Sequence, residues 1–490
     1  MAEKSLSKNQ VIAELARSSH GDLKQYLPIV KSSAKEDPEF LAHLIAWNEK
    51  NGQIRDSKIA LPVTSLTMWH DDELAENSLA HMALLDPRSL VKAVEFSKKI
   101  KTLLNGKAIE RLVEAYLRER EKKRGWWDAT ALQHRASMKT LYAMNHIKPS
   151  DRADKILFKR SYAKNSAFYA LRELKNMTPK DAAAAIINKE LPFQIAIGAL
   201  GAKAKDPDVV LALIEAMSPT QLTNSVKMLE RLGLNTNPAL KAAFEIGLHK
   251  VAASPKNTLK ATKAIEALGE EDSPIKEKLK KTQEKQIDAM GKVKGRWLVL
   301  GDKSGSMHEA IDTARHIAAT LARMAEDDVW LVFFDTTPYK VIQAKGKTYD
   351  ELLAESKRVT AGGGTSIGCG LQHILDKDIE VDGIAVVSDG GENTHPVFPA
   401  VYKRYTEKFA KDVPVYYYDL NGEPNVYFVQ AMQKAGHDMQ TFSLRGSKVD
   451  YYSLPNLVKT MSVSRYGLID QIMETKLLRV KDVLPSSQWE

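Results

Sequence analysis

Up to about residue 290, apolar residues recur three and four positions apart, as in "AIERLVEAYL" and "VVLALIEAM", and alternating β-branched runs are few. That spacing lines apolar side chains along one stripe of a helix, so the region is predicted to be helical. Its helix starts are punctuated. Thr178-Pro179, Asp206-Pro207 and Ser218-Pro219 open "TPKDAAAAIINKE", "DPDVVLALIEAM" and "SPTQLTNSVKMLERLG", each a polar cap ahead of a proline at the first helical position. Gly233 supplies a stop. Short helices joined by short turns predict an α-solenoid of stacked helix pairs, without a strict repeat period.

The pattern then changes. "GEEDSPIKEKLKKTQEKQIDAMGKVKG" is charged and ends between glycines, which predicts an exposed helix leading to a domain boundary. Beyond it, "RWLVLGD", "VWLVFFD", "GIAVVSD" and "VPVYYYDL" are short, nearly continuous apolar runs separated by helical stretches such as "EAIDTARHIAATLARMA". Buried parallel strands alternating with helices make an open α/β sheet, whose ligands bind at the carboxyl ends of the strands. Asp302, Asp335 and Asp389 end three of these runs. The expected division is 1–290 helical, 291–461 α/β, and 462–490 a terminal helix and tail.

Length adds that 490 residues exceed one ordinary core, so a multidomain chain is expected. Without a long apolar run or a signal-peptide pattern at its start, the chain is expected to be cytoplasmic, with no membrane partner. Its single cysteine, Cys369, excludes an internal disulfide framework and a thiolate zinc cluster. The net charge of +9 is localised: residues 101–200 carry 20 Lys/Arg against 10 Asp/Glu, while 291–490 carry 24 against 26. Localised positive charge is the footprint of a polyanion binder. It also fits a solvated lysine-rich helical face, and charge alone does not choose between the two.

Candidate chemistry begins at Asp302-x-Ser304-x-Ser306, directly after a predicted strand. Alternation lets a tight loop turn one carboxylate and two hydroxyls toward a common point. Hard oxygens of this kind select Mg²⁺, with Mn²⁺ or Ca²⁺ as alternatives. Two further oxygens stand downstream: Thr365 after the glycines of "TAGGGTSIGCGL", and Asp389 in "VVSDGGEN". The glycine-rich loop lacks the Gly-Lys-Ser/Thr ending of a phosphate loop. No nucleophile-elbow pattern surrounds Ser304 or Ser306, so no catalytic residue is assigned and the chain is expected not to be an enzyme.

The ordered set Asp302, Ser304, Ser306, Thr365 and Asp389 resembles the metal-ion-dependent adhesion site of von Willebrand factor A domains, over roughly residues 293–460. That resemblance implies direct ligation by the two serines, direct or water-mediated ligation by Thr365 and the aspartates, and a last ligand from an acidic protein partner.

The basic segment interleaves cations with rings, as single-stranded or looped RNA requires. Its candidate RNA contacts are Lys122, Lys123, Arg124, Arg135, Lys139, His146, Lys148 and Arg152, beside Trp126, Trp127 and Tyr142. For either tryptophan alone, packing between helices is the plainer reading. "KRGW" at 123–126 and "NHIKP" at 145–149 resemble the Arg-x-Gly-Trp and Ser-His-x-Lys-Pro patterns of the TROVE module, found in the Ro autoantigen family ahead of an A domain. Asn145 stands where that family has serine. The resemblance implies a HEAT-like helical ring, monomeric and closed by the A domain. It implies a non-catalytic ribonucleoprotein that binds small structured noncoding (Y-like) RNA on a basic outer surface and single-stranded ends of misfolded RNA in a central hole, for RNA quality control. An acidic protein ligand or a ribonuclease partner would occupy the A-domain site. The alternative is a metal-dependent protein-binding adaptor.

Overall fold

A computed structural model describes residues 22–485 apart from 52–54, 70–71, 101–105, 289–291, 306, 421–426, 438 and 444–464; of 253–273 it describes only 264, 265 and 268, and before 22 a few isolated positions. The chain forms two compact units. One comprises Met1–Leu41, Asn51–Ser57 and Ile287–Thr475; the other comprises Ala42–Lys50, Lys58–Gln286 and Lys476–Glu490. The passage near residue 287 is therefore one of several between the units, and the segment after Thr475 belongs with the helices.

The helical unit is built as its caps dictate. Thr178 accepts from the Asp181 amide ahead of helix Pro179–Asn188, and Asp206 from the Asp208 amide ahead of helix Pro207–Ala216. Each cap satisfies a backbone donor that the first turn leaves open. Ser218 makes a reciprocal capping box with Gln221. Its helix is interrupted, however: Pro219–Asn224 and Val226–Arg231 are separate helices joined at Ser225. Gly233 ends the second at φ +96°, a left-handed conformation that favours glycine. Helix Pro274–Asp288 corrects the expectation of an exposed element. Ile275 and Leu279 pack into a core with Leu222, Leu240 and Phe244, and even Lys276 is buried, so only part of its surface faces solvent.

The other unit holds a six-stranded sheet: β1 Trp297–Asp302, β2 Val329–Phe334, β3 Pro338–Gln343, β4 Gly383–Ser388, β5 Val415–Asp419 and β6 Met439–Ser443. The strand order is β3-β2-β1-β4-β5-β6, parallel except for the antiparallel edge strand β3. All four runs expected as parallel strands are present. Leu298, Leu300, Val332, Ile384, Val386 and Tyr417 pack on one face against helices Ile367–Asp376 and Phe398–Phe409. Because β1 pairs with β2 on one side and β4 on the other, the chain order reverses between β1 and β4. Such a switch point opens a crevice beyond the carboxyl ends of the strands.

Candidate functional site

Asp302 and Ser388 end the two strands that flank this crevice, and they meet across it. Asp302 is fully buried. Its Oδ1 accepts from the Ser304 amide at 2.8 Å, and its Oδ2 accepts from the Ser388 hydroxyl at 2.5 Å. The Ser388 oxygen in turn accepts from the Gly390 amide at 3.0 Å, and Asp389 Oδ1 from the Gly391 amide at 3.0 Å.

Backbone bonds tie the three candidate loops together. The Gly362 amide donates to the Lys303 carbonyl at 2.7 Å, and the Gly305 amide to the Gly363 carbonyl at 3.2 Å. Thr365 is buried; its amide donates to Asn393 Oδ1 at 3.1 Å, while its carbonyl accepts from the amides of Asn393 and Thr394 at 3.0 Å. Ser304 is buried beside Asp302, and Ser306 lies outside the described residues. Asp302, Ser304, Thr365 and Asp389 thus belong to one set of interlocked loops. Burial raises the Asp302 pKa above the usual carboxylate range, and the charge of Asp389 adds to the rise. A divalent cation would relieve both effects. The donors are all hard oxygens, so the residues present fit a Mg²⁺-type ion.

Lys303, between two of these candidate ligands, is held elsewhere. Its ammonium bonds Asp335 Oδ2 at 2.6 Å and the Gly362 carbonyl at 3.2 Å, and sits 4.7 Å from the Tyr339 ring centroid. Against the effect of its own burial, Asp335 is held below its ordinary pKa by that lysine and by the Thr337 amide. Asp335 therefore serves as the counter-ion of Lys303. Two further acids were not legible as site residues. Asp419, paired in register with Ser388, is buried, and together with Asp389 and Asp302 it raises the pKa of the buried Tyr417 phenol beyond the effect of burial itself. Glu392 is also buried. It accepts from the Gly368 amide at 2.9 Å and from the Phe398 amide, one bond in the first turn of each helix behind the site. Burial pushes its pKa up to about 7 against the pull of these donors. Their signal, an acid just past a strand or before a helix start, resembles any N-terminal helix charge. The thiol of Cys369 is pushed up to about 12 by burial, which leaves it unreactive.

The basic segment folds as helices Gly106–Lys122, Arg124–Met144 and Asp151–Leu157 of the helical unit. The second helix ends in a left-handed turn at His146, φ +53°, with the Ile147 amide donating to the Tyr142 carbonyl at 2.9 Å. This is a six-to-one helix stop with histidine where glycine is usual. Glu121 anchors the chain on both sides of that stop, accepting from the Tyr142 hydroxyl at 2.5 Å and from the Ser150 amide at 3.2 Å. Ser150 then caps the third helix.

The eight candidate RNA contacts divide. Lys123 pairs with the buried Glu119 at 3.0 Å. Arg152 pairs with Asp128 and lies 5.0 Å from the Trp127 ring centroid. Arg135 donates to the Leu157 carbonyl at 2.7 Å, which commits it to helix packing. Lys122, Arg124, His146 and Lys148 are exposed, and the last three have no ion-pair partner among the described residues. Lys139 sits over the exposed Phe158 ring, 5.3 Å from its centroid. The tryptophans also divide: Trp127 is core, whereas Trp126 is 42% exposed and covers the Arg120 guanidinium, itself stacked on Tyr116. His146 and Lys148 border an open groove of about 350 Å³.

No protein-family model matches the sequence, and no curated protein matches it. Among solved structures, the chain is similar to the Ro (RSR) protein of Deinococcus radiodurans, with a TM-score of 0.63 and 14% identity over 92% of this chain and 100% of that one. The fold is thus that of a Ro-type protein, helices followed by an α/β sheet unit.

Proposed function

We propose that the chain is a non-catalytic RNA-binding protein that holds small structured RNA on the helical unit and serves in RNA quality control. The observation that carries this reading is that Arg124 at one end of helix Arg124–Met144, and His146 and Lys148 just past the other, are exposed without carboxylate partners among the described residues. Each end has an exposed ring, Trp126 at the first and Phe158 in the groove at the second. Unpaired cations bind phosphates and release counter-ions, while exposed rings stack unpaired bases. The likeness in fold to a Ro protein supports the same reading.

Gel-shift titration with a structured small RNA tests it. Charge reversal at Arg124 and Lys148 together is expected to weaken binding, and removing one cation–phosphate pairing should reduce the salt dependence by about one counter-ion. Binding that is indifferent to both changes would remove the basis of the proposal. The non-catalytic part has its own check: RNA incubated with the protein and Mg²⁺ should stay full length, and Mg²⁺-dependent fragments that vanish in Asp302→Ala would turn the reading toward a nuclease.

For the sheet unit, Asp302, Ser304, Ser306, Thr365 and Asp389 would hold a Mg²⁺ ion, which would bind an acidic side chain of a protein partner. Support comes from the interlocked oxygen donors and the buried charge of Asp302.

A further inference from the structure

The groove beside His146 has two chemically different walls. On one side, Asp154 and Phe158 stand one turn apart along helix Asp151–Leu157 and its cap, with Phe158 38% exposed and edge-on to Tyr142 at 6.5 Å. Asp154 Oδ2 is ion-paired with Lys159 at 2.5 Å, and its Oδ1 is left to accept. On the other side, His146 and Lys148 rise from the left-handed turn that Glu121 pins in place. A simple phosphate site would have no use for a carboxylate and an aromatic ring. A purely apolar groove would not carry an imidazole and an ammonium. The pairing of a ring and an acceptor with two cations matches a single nucleotide, whose base offers a flat face and N–H donors and whose phosphate is an anion. The volume of about 350 Å³ falls near the lower end of the about 300–1,000 Å³ typical of small-ligand pockets.

We infer that this groove receives one unpaired nucleotide of a bound RNA, with its base stacked against Phe158, its N–H edge toward Asp154, and its phosphate at Lys148 and His146. The inference rests on the RNA-binding reading and adds to it a base-stacking residue absent from the eight sequence-predicted contacts. Lys139, now over the Phe158 ring, is a flexible cation that yields the ring face to the base and remains beside the backbone. Unlike an outer-surface phosphate contact, the groove senses whether a base is present.

The test uses the full chain and a short stem–loop RNA with one unpaired nucleotide, compared with the same RNA made abasic at that position, by fluorescence anisotropy over about 50–200 mM salt. Wild-type protein is expected to bind the intact RNA about tenfold more tightly than the abasic one, the fold-change of one base–aromatic stack. Phe158→Leu, which keeps the apolar bulk, should erase that difference and leave the salt dependence unchanged; Phe158→Trp should restore it. Lys148→Ala should lower affinity for both RNAs and reduce the salt slope. If Phe158→Leu retains the full preference for the intact RNA while Lys148→Ala still weakens binding, the groove inference is overturned and RNA binding stands. Wild-type protein that binds neither RNA would overturn the RNA reading itself.

Discussion

His146 is held at φ +53°, where a side chain costs about 1–2 kcal/mol relative to right-handed backbone. Its exposed ring makes no hydrogen bond among the described residues that would recover that cost. His146→Gly should therefore raise the unfolding free energy by up to about 1 kcal/mol after the larger chain entropy of glycine is counted, while lowering affinity for RNA. A variant that gains no stability would show that the turn is not under strain. Glu392 gives a second residue-level prediction. Its folded pKa of about 7 lies above the ordinary value of 4.5, so its protonated form is favoured in the native state. Its contribution to stability is full below about pH 4.5 and lost as pH rises toward about 7. Denaturation of wild type and Glu392→Gln should converge in acid and diverge near neutral pH, with the variant more stable there by about 1–3 kcal/mol; a difference that is flat with pH would mean that folding does not raise the Glu392 pKa. His146 was named from the sequence as an RNA contact, but neither its backbone strain nor the burial of Glu392 was readable there. A histidine in "NHIKP" does not show its dihedral, and Lys303 gave no sign that Asp335, more than thirty residues on, would take up its charge.

Among the elements, the strand ends carried most of the readable chemistry, because an apolar run that stops at an aspartate marks both a buried strand and its functional edge. Edge strands were harder to read. β3, "PYKVIQ", opens with proline and faces solvent at Tyr339 and Val341, and β6, "MQTFS", alternates too briefly to separate from a loop. Helix Pro274–Asp288 was misread because its lysines outnumber the Ile275 and Leu279 that decide its burial. On a helix, neighbours such as Trp126 and Trp127 point about 100° apart, so only one of them could join the core. At the site itself, Gly368 lets helix Ile367–Asp376 approach the 396–398 backbone: a Cβ there would lie 2.3 Å from the Pro396 carbonyl oxygen. Gly368→Ala should cost about 1–3 kcal/mol in chemical denaturation. Asp302→Asn should act oppositely in metal-free buffer, since it removes a buried charge whose pKa is raised. Mg²⁺ is expected to raise the melting temperature of wild type, as ligand binding to the native state alone requires, and the substitution should abolish that rise. Equal Mg²⁺ shifts in both proteins would place the ion elsewhere.

For the whole molecule, the change of pattern near residue 290 was visible in the sequence, and one passage between the units lies close to it at Ile287. The return of the chain after Thr475 was not visible, since a short terminal segment shows no partner in its own sequence. Val480 and Leu484 are fully buried, the Leu478 amide donates to Asn77 Oδ1 at 3.0 Å, and the Val480 amide to Glu76 Oε1 at 3.2 Å. Burying two such aliphatic side chains is worth about 3–6 kcal/mol. Removal of residues 476–490 should therefore raise hydrogen exchange in helix Asp72–Ala83, while exchange in β1 and β4 stays slow; protection of that helix without the segment would contradict the packing described. This closure also has a consequence in biosynthesis. The ribosome makes most of the helices first, yet the strand of chain that seats on Glu76 and Asn77 leaves the exit tunnel only after the entire sheet has been translated. Helix Asp72–Ala83 must wait, with an apolar face uncovered, until residues 478–484 have been translated.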